Sequence, residues 1–132
     1  MNERGDALDA EGFVPPLERM REIFLKHDFI RHATVVAELI DLAHMEAPNF
    51  AEKLGGGRMW GSAGSVADSV DLRRSLDPVD AETERDSLEL MQLLIRLADQ
   101  MKYHDISSEG SEFVANAFRR GLEMLRSRER EP

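Results

Sequence analysis

The sequence predicts an all-α fold, an antiparallel bundle of about four main helices with a glycine-rich central connection. Three observations predict it. Apolar residues recur every three to four positions in four long stretches, as the amphipathic faces of helices do. No segment sustains the apolar–polar alternation of a strand. The polar connections between the stretches are short, which favours antiparallel neighbours.

The elements follow in chain order. Met1 to Val14 is acidic and without period, and reads as a flexible N-terminal arm; residues 15–128 read as a single helical domain. Pro15-Pro16 ends the arm, and proline is well tolerated in the first turn of a helix. Leu17, Met20, Ile23 and Phe24 then fall at helical spacing up to about His27. Asp28 reads as the N-cap of a second helix. Its stripe is Val36, Ala37, Ile40 and Ala43, widened by Val35, Leu39 and Leu42, and it stops near Met45 ahead of Pro48. Phe50 to Leu54 adds one or two turns before the glycines.

Residues 55–64 read Gly-Gly-Gly-Arg-Met-Trp-Gly-Ser-Ala-Gly, and hold five of the nine glycines and the single tryptophan. Ser65-Val66-Ala67-Asp68 has the S-x-x-D spacing of a capped helix start. After a polar connector around Pro78, a long helix is expected from Val79 to Tyr103. Its main face is Leu88, Met91, Leu94, Ile95, Ala98 and Met101, with Leu90, Leu93 and Leu97 beside it. A break at Ile106 to Gly110 precedes a last helix from about Glu109 to Ser127, with Val114, Ala117, Phe118, Gly121, Leu122 and Leu125 inward.

Composition narrows the function classes. The chain has 132 residues, the size of one domain, and a formal net charge of −9. That charge argues against nucleic acid, whose binding needs lysine and arginine to displace counterions. The absence of cysteine removes disulfides, thiolate zinc sites and cysteine nucleophiles together. The polar, acidic start lacks signal-peptide character, and no apolar run reaches the roughly 20 residues of a membrane span. The expectation is a cytoplasmic chain without a membrane partner and without a cofactor.

Several constellations bear on chemistry. Asp41 and His44, and Asp28 and His32, share helix faces, but a di-iron bundle needs two Glu-x-x-His pairs and two further glutamates. His27-Asp28 resembles the doublet of metal-dependent phosphohydrolases, yet no histidine precedes it. Glu38 with Asp41 and Asp86 with Glu89 are two carboxylate pairs at i, i+3, the oxygen-rich set a magnesium ion wants. Their spacing is similar to that of all-α nucleotide pyrophosphohydrolases, although the second pair has the order Asp then Glu. The glycine segment could cradle phosphate, but no lysine lies between Lys53 and Lys102 to complete a P-loop. A tight connection with Met59 and Trp60 plugging the bundle is the simpler reading. Serines 62, 65, 107, 108 and 111 have no histidine at an arguable distance for a triad.

The acidic run Asp77, Asp80, Glu82, Glu84, Asp86 and Glu89, relieved by Arg85 alone, exceeds what helix capping needs. It reads as a docking surface for a basic protein. Arg58, Met59 and Trp60 in the glycine segment form the second expected partner-binding surface.

Phe50, Leu54, Gly55, Gly56, Gly64, Ser65 and Asp68 carry a family resemblance. Two helices leading into a glycine-rich turn that ends in Gly-Ser-x-x-Asp resemble a group of small uncharacterised bacterial helical proteins, over about residues 17–72. Some small acidic helical proteins of this style look like immunity proteins that neutralise a toxin. The expected function, read from those two surfaces, is a non-catalytic protein-binding domain of unknown role; an immunity-type protein neutralising a basic partner is the form that the likeness suggests. The alternative is a magnesium-dependent pyrophosphohydrolase-like enzyme using Glu38, Asp41, Asp86 and Glu89.

Overall fold

The computed structural model describes residues 9–61, 64–70, 72 and 80–130. Every regular element among these residues is helical. A 3-10 turn, Ala10–Phe13, leads directly into α1 (Val14–Lys26) and α2 (Ile30–His44). Two short helices follow, α3 (Phe50–Leu54) and α4 (Gly57–Trp60), then a 3-10 turn at Ala67–Ser69. The two longest helices close the chain, α5 (Ala81–Tyr103) and α6 (Glu109–Arg130). Among the described residues no helix is long and apolar enough to cross a membrane.

The helix ends show why the sequence breaks where it does. Asp28 does not cap α2. It adopts a left-handed backbone, φ 68°, and closes α1 instead. Its N–H donates to the carbonyl of Leu25 and the Phe29 N–H to that of Phe24, the paired bonds of a Schellman motif. The same device ends α2 at Glu46 (φ 53°) and α5 at Asp105 (φ 63°). All three left-handed positions, where glycine is usual, hold an acid, so a glycine-based reading of helix ends passes over them.

Helix starts are more conventional. The Asp80 carboxylate accepts from the Thr83 N–H at 2.7 Å, capping α5. Ser108 and Ser111 exchange backbone-to-hydroxyl bonds of 3.1 and 3.0 Å at the start of α6, a capping box built from two serines.

The core is aliphatic with a few phenylalanines. The arm reading is corrected at its C-terminal end. Phe13 is fully buried, its ring 5.6 Å from both the Phe50 ring and the His104 imidazole, so the packed domain begins before Pro15. Met1 to Leu8 lie outside the described residues. In α2 the buried positions are Ala33, Val36, Leu39, Ile40 and Ala43. In α5 they are Leu90, Leu93, Leu94, Leu97, Ala98 and Met101, with Asp86 one turn earlier. The expected α5 face is therefore rotated: Leu88 is 37% exposed, and Met91 and Ile95 are half-buried. The reason is that α5 packs on two helices at once, α1 on one flank and α6 on the other. In α6 the buried side chains are Ser111 and Ala115, while Leu125, expected inward, is 40% exposed.

Candidate functional site

The candidate sites fall on three regions, beginning with the ion pairs between α1 and α5. Arg19 holds Glu89 through two bonds of 2.7 and 2.9 Å. Lys26 lies against both Glu82 and Asp86, the latter at 2.9 Å, and His27 Nε2 is 2.8 Å from Asp86 Oδ2. Residue 19 pairs with 89 and residue 26 with 82 and 86, so the two helices run antiparallel. Burial raises the carboxyl pKa of Asp86, but bonds from His27 and Lys26 outweigh it and hold the group below its ordinary value. The bond from Arg19 likewise holds Glu89 low.

These pairs correct the magnesium expectation. Glu38 is bound by Arg58 at 3.0 Å, and Asp86 and Glu89 by cations of α1. The physical reason lies in the packing: α1, not α2, is the helix that α5 faces across these acids, and α1 packs against both. Asp41 stays exposed on α2. Among the described residues no group of three or more histidine or acidic side chains is placed to hold a metal ion. The two histidine pairs are separated as well. His44 Nδ1 lies 2.9 Å from Glu11, and His32 stacks among Phe24 and Phe29 with its Nε2 2.8 Å from the Ser69 hydroxyl. Burial and the charge of Arg31 push the His32 pKa down, which favours its neutral form.

The acidic run is only partly available to a partner. Asp77 lies outside the described residues. Asp80 is occupied as a cap, with its pKa lowered by the Thr83 N–H, and Glu82 and Asp86 are tied to Lys26. Glu84 is exposed on the first turn of α5.

The second region is the glycine segment. Met59 is fully buried and Trp60 is 4% exposed, with its indole Nε1–H donating to the Leu54 carbonyl at 2.8 Å. These two side chains face the interior, a correction to their expected role as partner contacts. Arg58 points outward to Glu38. Gly61 and Gly110 are required sterically. A Cβ at Gly61 would meet the Gly57 carbonyl oxygen at 2.6 Å, and one at Gly110 would meet the Trp60 Cβ at 2.9 Å. Ser65 accepts from the Asp68 N–H at 3.2 Å, as the S-x-x-D spacing leads one to expect. Beside this segment an open cleft of about 600 Å³ is lined by Arg31, His32, Thr34, Arg58 and Ser65. Its imidazole, favoured neutral, is hydrogen-bonded to the Ser69 hydroxyl, which also lies 3.1 Å from the Ser65 carbonyl oxygen, and Arg58 is engaged with Glu38.

The third region was not anticipated. On α6, Phe113 is 73% exposed and Met124 is 63% exposed. With half-buried Ala117 they form one stripe along the helix, on the flank turned away from Ala115 and Leu122. The signal in the sequence is an apolar residue off the inward face: Phe113 does not fit the stripe of Val114, Phe118 and Leu122. Large apolar side chains aligned in water mark surfaces that something else covers. No protein family, curated protein or solved structure matches this chain.

Proposed function

We propose that this chain is a helical protein-binding domain without catalysis of its own, docking through the outer flank of α6. The observation that carries it is the exposure of Phe113 and Met124 on one helix stripe. The groups that could do chemistry are, by contrast, engaged in pairs within the fold: Asp86 with Lys26 and His27, Glu89 with Arg19, Glu38 with Arg58. An antiparallel bundle stiffened by these pairs is a scaffold that presents a rigid helix face. Glu84, exposed on the first turn of α5, is an acid of the expected run that a basic partner surface could meet. Immunity-type neutralisation of a basic partner is the form of this reading that the family resemblance implies. The magnesium-hydrolase alternative has no observation in its favour, because its four carboxylates do not gather.

The test compares proteins captured by the intact chain and by a Phe113→Ser, Met124→Ser variant, each checked for unchanged helicity. Loss of the specific partner from the variant supports the reading. Equal capture by both overturns it.

A further inference from the structure

The face of α6 that carries Phe113 and Met124 is complementary to itself. Glu109 and Glu112 lie in its first turn, whereas Arg120, Arg126 and Arg128 lie in its second half, with Glu123 among them. The stripe at Phe113, Ala117, Arg120 and Met124 has the 4-3-4 spacing of a helix–helix seam. That spacing reads the same in both directions. Laid antiparallel on a copy of itself about a two-fold axis between residues 118 and 119, α6 brings Phe113 opposite Met124 and Ala117 opposite Arg120. It also brings Glu109 opposite Arg128. A parallel alignment would set acid on acid and arginine on arginine, which disfavours it.

We propose that the occupant of this face is a second copy of the chain, and that the protein forms an isologous dimer through antiparallel α6 helices. The inference rests on the reading of this flank as a docking surface and gives it a second copy, in place of a basic protein, as its occupant. Each Phe113 ring meets the Met124 thioether of the other copy, a favourable sulfur–aromatic contact made twice by symmetry. The small Ala117 leaves room for the aliphatic stem of Arg120, whose guanidinium reaches water at the edge. Glu109 and Arg128 close the two ends as ion pairs that fix the antiparallel direction. A contact of a single helix from each subunit falls near the small end of stable interfaces, about 1,200 Å² in total. The dimer is therefore expected to dissociate in the micromolar range.

Sedimentation equilibrium of the full chain tests this, run from about 1 to 200 μM to bracket that range. The expected result is a mass rising from one to two chains, with Phe113→Asp monomeric throughout and its far-UV helicity unchanged. Charge exchange tests the direction. Glu109→Arg alone and Arg128→Glu alone each weaken the dimer at least several-fold, and the two together in one chain restore it, because each copy then offers the reversed pair. A wild-type monomer at every concentration overturns the dimer while leaving a different protein as occupant of the face, which the capture comparison above detects. A dimer that survives Phe113→Asp, or no rescue by the double exchange, places the contact elsewhere and overturns the inference too.

Discussion

Gly110 lies directly beneath Trp60: a Cβ on the glycine would come to 2.9 Å from the tryptophan Cβ, nearer than such atoms approach. The start of α6 is thereby seated on α4, and the glycine segment is held under the C-terminal hairpin. Gly110→Ala is expected to destabilise the chain by about 1–3 kcal/mol, although alanine is the better helix former. Urea unfolding followed by the single tryptophan measures it. An unchanged or higher midpoint would show that α4 and α6 can separate without loss.

Trp60 is enclosed and bonded to the Leu54 carbonyl. Its fluorescence should be blue-shifted and resistant to acrylamide in the native state. Trp60→Phe keeps most of the apolar volume but strands that carbonyl, at a cost of about 1–3 kcal/mol. Quenching as efficient as that of free tryptophan would contradict this enclosure.

The N-terminal turn should respond to pH through His44. Its bond and charge interaction with Glu11 raise its pKa above the ordinary 6.5. A raised folded value means the added stability is fully present below about 6.5 and is lost as pH rises through the higher value. Amides of Ala10 to Phe13 should therefore be better protected at pH 6 than at pH 8.5, after correction for intrinsic exchange. Glu11→Gln should bring the His44 titration, followed by NMR, back toward 6.5.

Asp86 carries the opposite sign. Its folded pKa lies below the ordinary 3.8, so its contribution is present above that value and lost as pH falls through the folded one. Asp86→Ala removes the carboxylate that Lys26 and His27 share and should cost about 1–3 kcal/mol at pH 7. Between pH 5 and 3 the variant should lose stability less steeply than the parent. Parallel pH profiles would show that Asp86 is not the group responsible.

Glu46 sits at φ 53° closing α2, a conformation that costs an L-residue energy and a glycine little. Glu46→Gly is expected to raise stability by about 0.5–1 kcal/mol, and Glu46→Ala to give no gain. Thermal melts of the two variants distinguish a backbone effect from removal of the charge.

The helical class and most of the core were legible because burial follows helical spacing: Leu17, Met20, Ile23 and Phe24 are buried as that spacing requires. Ser65 and Asp68 were legible for the same local reason, since their bond spans three residues. The candidate site was less so. Asp86 and Glu89 looked like a free acid pair because their partners, Lys26, His27 and Arg19, are some 60 to 70 positions away. Asp28 looked like a cap because no local rule says that an acid, in place of glycine, will take the left-handed position.

By itself the sequence determined the helices, their approximate ends and the side chains able to form a core, all set by periodicity and by interactions within a few residues. Only the tertiary structure decided which flank of α5 faces α1, that Met59 and Trp60 turn inward, and that Phe113 and Met124 stay in water. The physical reason is that an amphipathic helix specifies how much apolar surface must be covered. Which neighbour covers it, and what is left over, depends on how all the helices share one interior.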